Sequence, residues 1–450
     1  MNRQRRAQGG AKRITLDEAA ALVRPSMWLD YGAGPSIPSQ FDETLAARAA
    51  DLNDVKIRSA IVMKPLATQE LDPEGRSFHH FSWHMGGYDR RKSDLGRCHY
   101  IPCNLGEIPD YYRRFLTPVD IAILRVAPMD ASGFFNFGTL NIWHRAVVEA
   151  ARTVIVVESE RTPFVDGVAN GVHESEVDYV IPGDQAPLTE LPNPPPTEVD
   201  RAVARLIAAE VEDGSCLQIG IGAMPNAVCS LLAESGLKDL GVHTEMMTDG
   251  ILDLHLAGRV TGARKQIDPG KIIFSFALGS QRLYDALHRN PVMTSRPVDY
   301  TNDHGVIASN HKVVAINNTT QIDLQGQAAS ESDGNRHLTG TGGQLQFVRA
   351  AYASPGGKSI LCLSSTYERK GQRKSRIVFN LTPGNIVTVP RTDMMYVATE
   401  YGIVNLKGKS VPERARAMIS LAHPDFREEL ERQAHEHRLI PRGVSFPTRS

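Results

Sequence analysis

The segment LQIGIGAMPNAVCSLLAES, residues 217–235, decides the fold class. Its first residues are a short apolar run, which predicts a buried strand. Gly220 and Gly222 then form a turn, and Pro225 falls in the first turn of the apolar helix that follows, a position that suits proline. A strand that passes through a glycine turn into a helix is typical of α/β proteins. By itself this turn fits a purely architectural role as well as a ligand site.

The same alternation of apolar runs and helical stretches continues along the chain in both directions. Runs that are apolar on both faces predict sheets that helices cover on both sides. The predicted class is therefore α/β, with mostly parallel or mixed sheets in two domains. The predicted strands are residues 55–63, 119–126 and 152–158 in the first half, and residues 216–222, 271–279, 313–317 and 359–365 in the second.

Three consecutive prolines, Pro194–Pro196, mark the clearest boundary, because they cannot continue a helix or a central strand. Thr197 and Asp200 then resemble a capping box, with Asp in the place of the usual Glu. We expect an N-terminal domain at residues 12–191, a Pro-rich linker at 192–196 and a C-terminal domain at 197–440. The two ends, residues 1–11 and 441–450, are expected to be flexible tails.

Composition excludes some classes of function. The chain has 450 residues, which is room for two to three domains of roughly 100–200 residues each. Lys and Arg number 50 and Asp and Glu number 51, a balance that argues against a general nucleic-acid binder.

No apolar run approaches the roughly 18–20 residues that span a bilayer, so no membrane association is expected. Five cysteines without metal-ligand spacing predict buried thiols in a reducing cytoplasm. They are Cys98, Cys103, Cys216, Cys229 and Cys362.

Three further segments are candidates for chemistry. Glu245 stands near a predicted strand end, where ligands bind in open α/β sheets. Gly340, Gly342 and Gly343 cluster just before an apolar helix, where backbone N–H groups favour an anion. The side-chain amide of Asn302 is a candidate donor to an oxyanion. Each feature also has a purely structural interpretation. Glu245 fits a surface or cap residue, the glycine cluster a flexible loop, and Asn302 a residue that holds a turn. The residues alone leave the structural and the functional interpretations open.

Histidines and a basic run in the first half have less specific interpretations. His79, His80 and His84 in FHHFSWH lie among aromatic residues without regular carboxylate partners, which favours pocket walls or packing over metal binding. The run RRK at 90–92 is either a solvated face or a group that attracts an anionic substrate. No G-x-S-x-G nucleophile elbow is present.

Several of these segments, taken in order, resemble the acetyl-CoA hydrolase/transferase group of family I coenzyme A transferases, close to 4-hydroxybutyrate and butyryl/acetate CoA-transferases. The resemblance runs from about residue 12 to about residue 430. Among the matching segments are GIGAMPNAV (220–228), GVHTEMMTDGILDL (241–254), PVDYTND (297–303), GTGGQLQFVRAA (340–351) and ATEYGIVNLKGKSVPERARAMISLAHPDFREEL (398–430).

The resemblance implies two CoA-transferase-like α/β domains, of the NagB/RpiA-like fold, with the active site at their interface. It implies that Glu245 is the nucleophile and that Asn302 and Gly343 hold an oxyanion. It places contacts with coenzyme A or substrate at eight further residues: Gly220, Ile221, Gly222, Ala223, Met224, Leu338, Gly340 and Gly342.

The implied activity moves coenzyme A between acyl-CoA and a short-chain carboxylic acid through a covalent glutamyl-CoA thioester. Coenzyme A is then a substrate, and neither a permanently bound cofactor nor a metal is expected. The alternatives are an acyl-CoA thioester hydrolase that uses the same Glu and a non-catalytic ligand-binding protein on this fold. The family also implies a homodimer or homotetramer. The pair Thr320–Gln321 departs from the pattern expected of close relatives. The acid is expected to be of the 4-hydroxybutyrate type, of the butyrate/acetate type or, as the His- and Arg-rich first half suggests, a larger or more polar acid such as itaconate or succinate.

Overall fold

The computed structural model describes residues 10–116 and 118–441, and its two largest sheets have eight strands each. The first sheet takes its strands from residues before the Pro194–Pro196 run and the second from residues after it. This architecture confirms the α/β class. The predicted tails, apart from Gly10, Ala11 and Pro441, lie outside the described residues.

The first sheet is parallel throughout. The strands of this half are β1 (Lys12–Arg13), β2 (Trp28–Ala33), β3 (Val55–Ala60), β4 (Phe78–Ser82), β5 (Cys98–Tyr100), β6 (Ile121–Val126), β7 (Phe134–Asn136), β8 (Thr153–Glu158), β9 (Gly171–His173) and β10 (Tyr179–Ile181). Eight of them pair in the order β1-β10-β8-β6-β2-β3-β4-β5. Parallel strands need crossover connections, and helices supply most of them.

The second sheet is parallel except at one edge. The strands of this half are β11 (Cys216–Ile219), β12 (Gly241–His243), β13 (Met246–Met247), β14 (Ile272–Phe274), β15 (Phe276–Ala277), β16 (Met293–Ser295), β17 (Val313–Asn318), β18 (Gln321–Asp323), β19 (Ala328–Ala329), β20 (Ser332–Asp333), β21 (Arg336–His337), β22 (Lys358–Cys362), β23 (Thr366–Arg369), β24 (Gln372–Ser375), β25 (Ile377–Val378), β26 (Tyr396–Thr399) and β27 (Gly402–Asn405). The main sheet has the order β16-β14-β12-β11-β17-β22-β26-β27, and only β26 and β27 pair antiparallel.

Some of the helices begin at a residue whose side chain caps the first turn, among them Thr15 and Thr197. The helices are α1 (Leu16–Ala21), α2 (Ser39–Ala46), α3 (Ala67–Glu70), α4 (Gly87–Asp94), α5 (Ile108–Arg114), α6 (His144–Ala150), α7 (Glu198–Ala208), α8 (Ala223–Glu234), α9 (Asp249–Leu256), α10 (Gln281–Leu287), α11 (Val298–Thr301), α12 (His304–Ser309), α13 (Gln344–Ala353), α14 (Val411–Leu421) and α15 (Pro424–Glu436). The capping box predicted for α7 is confirmed, because the Thr197 N–H donates to Asp200 at 2.8 Å and the Asp200 N–H donates to the Thr197 hydroxyl at 3.1 Å. Among the described residues, no helix combines the length and the apolar character that a bilayer crossing requires.

One predicted strand is divided in two, at a place that matters for the site. Residues 271–279 were expected to be continuous, but β14 ends at Phe274 and β15 begins at Phe276. The backbone N–H groups of Ser275 and Phe276 donate to the carbonyl oxygen of Glu245, at 2.9 and 3.1 Å, instead of continuing the main sheet. The expectation of one strand was wrong because the segment leaves that sheet to hold the backbone of Glu245.

The two halves pack directly against each other at this point. The Asn141 N–H donates to the Ser275 carbonyl at 3.0 Å, and the Val298 N–H donates to the Ile142 carbonyl at 3.2 Å. One apolar cluster contains buried side chains of both halves, among them Trp143, Phe276 and Val298. These backbone hydrogen bonds and the shared apolar core together fix the geometry of the cleft between the halves.

Candidate active site

Glu245 lies between β12 and β13, beyond the carboxyl end of the main sheet. Its backbone is fixed by the Ser275 and Phe276 N–H groups. Its side chain is partly buried and reaches a cavity of about 680 Å³ between the two halves. The position is where open α/β sheets bind ligands.

Asn302 follows α11 and is 1% exposed. Its side-chain amide Nδ2 donates to Oε2 of Glu245 at 2.6 Å and also approaches Oε1 of Gln346 at 3.2 Å. Its Oδ1 accepts from the Thr301 hydroxyl at 3.1 Å. These partners fix the amide with its NH₂ toward Glu245, the orientation that a donor to negative charge requires.

Gly343 precedes the ten-residue helix α13, and its backbone N–H donates to the Glu245 carboxylate. A Cβ at this position would overlap both Oε2 of Glu245 and Nδ2 of Asn302. Only glycine therefore leaves room for the carboxylate to approach the backbone. The positive end of the helix dipole at this terminus further favours an anion.

Burial raises the pKa of Glu245 to about 7, and the hydrogen bonds from Asn302 and Gly343 oppose this rise. The two carboxylate oxygens are not equivalent. Asn302 donates to Oε2 and to no other atom of the carboxylate, which fixes one side of the group. A carboxylate anchored in this way, at a raised pKa, has the character of a nucleophile.

The glycine turn between β11 and α8 forms another wall of this cavity. In the second sheet, strand order reverses between β11 and β17, and such switch points are where α/β sheets bind ligands. Gly220 and Ile221, which follow β11, line the cavity together with Asn318 at the end of β17. Gly340, Gly342 and Gly343 line it as well.

The structure does not bring four of the predicted contact residues to the cavity wall, namely Gly222, Ala223, Met224 and Leu338. Gly222 takes a positive φ of 119° as the cap of α8, and Met224 is buried in the apolar core. The carbonyl of Leu338 accepts from Nε of Arg90 at 2.7 Å. These residues shape the turns that carry their neighbours to the site.

The first half closes over the glycine loop of the second. His84 pairs with the Thr339 hydroxyl at 2.6 Å, the Leu105 N–H donates to the Gly342 carbonyl at 3.0 Å, and the Gly106 N–H donates to Gln346 at 3.1 Å. Sequence reasoning missed Gln346, which ties Asn302 to the first half. No local pattern distinguishes this glutamine from an ordinary helix residue.

The three histidines of FHHFSWH lie in different surroundings and have different partners. His84 lines the cavity, and burial lowers its pKa to about 4. His80 is buried against the Thr68 hydroxyl at 3.2 Å, while His79 lies near Asp54. Within the part of the chain that the structure describes, no group of three His, Cys, Asp or Glu side chains is arranged to hold a metal ion. Both Arg90 and Arg91 of the basic run line the cavity.

Comparison with known proteins follows this geometry. Models of the acetyl-CoA hydrolase/transferase N-terminal and C-terminal domains match residues 1–192 and 279–434. Butyryl-CoA:acetate CoA-transferase of Anaerostipes caccae is 45% identical over 432 residues, which cover 95% of this chain and 97% of that protein. The 4-hydroxybutyrate coenzyme A transferase of Clostridium kluyveri is 40% identical over 370 residues, covering 82% and 85%. The crystal structure of RipA from Yersinia pestis superposes with a TM-score of 0.88 at 37% identity, covering 95% of this chain and 98% of that one.

The similarity to named CoA-transferases makes this chain an enzyme of the CoA-transferase type. The chain belongs to the acetyl-CoA hydrolase/transferase family. Glu245 lies between the two stretches that the family models match.

Proposed function

We propose that this enzyme transfers coenzyme A between an acyl-CoA and a short-chain carboxylic acid, with Glu245 as a covalent nucleophile. One observation carries the proposal: the Glu245 carboxylate lines the cavity and is anchored there by the Asn302 amide, on Oε2, and by the Gly343 N–H. A fixed carboxylate beside a bound thioester turns a bimolecular attack into an effectively unimolecular one, which is worth up to about 7–11 kcal/mol.

In the first half-reaction, Oε1 attacks the thioester carbonyl carbon, the C–S bond breaks, and coenzyme A leaves as a thiolate. The product is a mixed anhydride between the acyl group and Glu245. The thiolate then attacks Cδ of Glu245, the acyl carboxylate leaves, and a glutamyl-CoA thioester remains. In this second step negative charge develops on Oε2, to which the Asn302 amide already donates, and the Gly343 N–H donates to the same carboxylate. Each such donor is worth about 3–4 kcal/mol.

In the second half-reaction, the carboxylate of the acceptor acid attacks Cδ and expels the thiolate, which gives a new mixed anhydride. The thiolate attacks the acyl carbonyl carbon, releases the Glu245 carboxylate and forms the new acyl-CoA. Every proton and electron pair is conserved between the two half-reactions. Because water would hydrolyse either intermediate, the closure of the first half over the glycine loop suits this chemistry.

The acid substrates follow from the walls of the cavity. Much of the lining is apolar and comes from both halves: Ile61, Val62, Met63, Leu105, Ile142, Met246, Phe276 and Leu278. Such walls suit short apolar chains. We propose short-chain monocarboxylic acids of the butyrate/acetate type, with 4-hydroxybutyrate as the polar variant. A dicarboxylate such as itaconate or succinate would have to place its second carboxylate near Arg90 or Arg91.

The proposed steps use only a carboxylate, a thioester and hydrogen-bond donors, so coenzyme A acts as a substrate and no permanently bound cofactor takes part. A homodimer or homotetramer in the cytoplasm remains a prediction.

The test is the dependence of CoA chemistry on an acceptor acid. Purified enzyme is incubated with butyryl-CoA, with and without acetate, and free CoA and acetyl-CoA are quantified. We expect acetyl-CoA to form with acetate and little free CoA to appear without it. Release of free CoA at the same rate without acetate would establish the hydrolase alternative instead. Binding of butyryl-CoA with no turnover under either condition would establish the ligand-binding alternative.

A further inference from the structure

Glu331 is a buried carboxylate, 4% exposed, whose oxygens face hydroxyl groups. Its Oε2 accepts from the Thr341 hydroxyl at 2.9 Å and from the Tyr100 hydroxyl at 3.4 Å. Its Oε1 accepts from the Thr388 hydroxyl at 2.9 Å. A buried carboxylate without such donors would be costly, so these partners stabilise Glu331 in the interior.

The directions of these hydrogen bonds are consistent with one another. The Tyr100 hydroxyl accepts from the Thr341 backbone N–H at 3.1 Å, and the Thr388 hydroxyl accepts from the Ser330 N–H at 3.0 Å. Each of these two hydroxyls therefore has its own proton available for Glu331. A carboxylate accepts at both oxygens, whereas a glutamine side chain would turn an NH₂ group toward one of the donors.

Glu331 does not line the cavity, but the residue it holds does. Thr341 is bound through its hydroxyl by Glu331 and through its backbone by Tyr100 of the first half. The backbone carbonyl of Glu331 also accepts from the Leu338 N–H at 2.8 Å. The loop is thus fixed at two points, and Gly343 follows two residues after Thr341.

We propose that Glu331 is a positioning residue which, together with Tyr100, holds the loop 338–343 so that the Gly343 N–H points at the Glu245 carboxylate. The inference rests on the proposed function, because the position of that N–H matters only if charge develops on Glu245. Glu331 acts through Thr341 and makes no contact with the reacting atoms. A misplacement of about 1 Å in such a group costs on the order of a hundredfold in rate.

The test compares three single variants. Glu331→Gln replaces one of the two acceptor oxygens by an NH₂ group, and Thr341→Val removes the hydroxyl on the loop side. Thr388→Val removes the hydroxyl on the opposite side, which does not reach the loop. We expect the first two to lower kcat about tenfold to a hundredfold, with KM for acyl-CoA changed by less than about threefold. Thr388→Val is the matched control for damage to the buried cluster, and its kcat should fall by less than about threefold even where its melting temperature falls equally.

The double variant Glu331→Gln/Thr341→Val separates positioning from general destabilisation. If both residues act through one link, the double variant is within about threefold of the slower single variant, since the link is already broken. Full additivity, or an equal loss of kcat in Thr388→Val, would overturn the inference.

Failure of the proposed function would look different. It would appear in the wild type, as the absence of any covalent adduct at Glu245. Failure of the present inference alone would appear as normal adduct formation in the wild type and at the same rate in Glu331→Gln.

Discussion

The side-chain amide of Asn302 donates to Oε2 of Glu245 at 2.6 Å, across 57 residues of chain. The Gly343 N–H donates to the same carboxylate. Two donors on one carboxylate orient it in the ground state and are already in place to stabilise the negative charge that develops when Cδ is attacked. The first predictions follow from this relationship.

Replacement of Gly343 by alanine should abolish most of the transfer activity. The new Cβ overlaps Oε2 of Glu245 and Nδ2 of Asn302, so both groups must move and the backbone N–H is displaced. We expect kcat to fall about 10²–10³-fold, the range for loss of an oxyanion donor. Gly236→Ala is the matched control, because a Cβ there meets nothing within 4 Å. Equal activity of the two variants in a butyryl-CoA/acetate assay would contradict the geometry.

The pH profile of the first half-reaction should report the ionisation of Glu245. Because burial raises its pKa to about 7, kcat/KM for acyl-CoA should rise with pH through a midpoint near 7 and level off at higher pH. Asn302 donates to the charged form and so lowers this pKa. Asn302→Ala should therefore move the midpoint to higher pH and lower the plateau. A midpoint that stays near 4.5 in the wild type, or moves down in Asn302→Ala, would count against this assignment.

The free energy of unfolding should also depend on pH because of the raised pKa of Glu245. The folded state holds the Glu245 proton more tightly than the unfolded chain, whose ordinary value is 4.5, so stability from this group falls as pH rises from about 4.5 to about 7. Glu245→Gln keeps the shape and removes the charge. We expect it to raise the free energy of unfolding by about 1–3 kcal/mol at pH 8. At pH 4, where both side chains are neutral, urea titrations of the two proteins should coincide; a constant difference at both pH values would point to packing instead.

Arg91 should contribute to binding of the anionic substrate. It is exposed at the cavity, and among the described residues its charge lies 5.9 Å from the Tyr88 ring without an ion pair. Arg91→Ala should raise KM for acyl-CoA about twofold to fivefold, the scale of an exposed charge interaction, and less at high salt. Lys92→Ala is the control, because Lys92 already pairs with Glu70 at 3.0 Å. The KM for an acyl-pantetheine substrate, which lacks the nucleotide phosphates, should not change in Arg91→Ala. An effect seen only with dicarboxylate acceptors would mean that Arg91 binds the acid and not coenzyme A.

Local sequence patterns predicted the α/β class and the strand–glycine–helix unit, because these depend on periodicity over a few residues. They left Glu245 and Asn302 open between chemistry and an ordinary cap or turn, and the family resemblance was needed to connect them. The division at residues 192–196 stays a prediction.

The supporting contacts could not be predicted in this way. Tyr100 and Glu331 are 231 residues apart in sequence, and neither stands in a pattern that points to the other. The break between β14 and β15 was also missed, because its cause is a carbonyl elsewhere in the chain. Contacts of this kind depend on how the two halves meet, which a single sequence does not encode locally.

The most direct test of the central claim is to trap the intermediate. The enzyme is incubated with acyl-CoA without acceptor acid, treated with borohydride or hydroxylamine, digested, and analysed by mass spectrometry, with Glu245→Gln as the control. The account predicts a modified peptide in which Glu245 carries the reduced or hydroxamate product, absent from the control. An unmodified Glu245 under conditions where the wild type transfers CoA, or a modification at another residue, would contradict it.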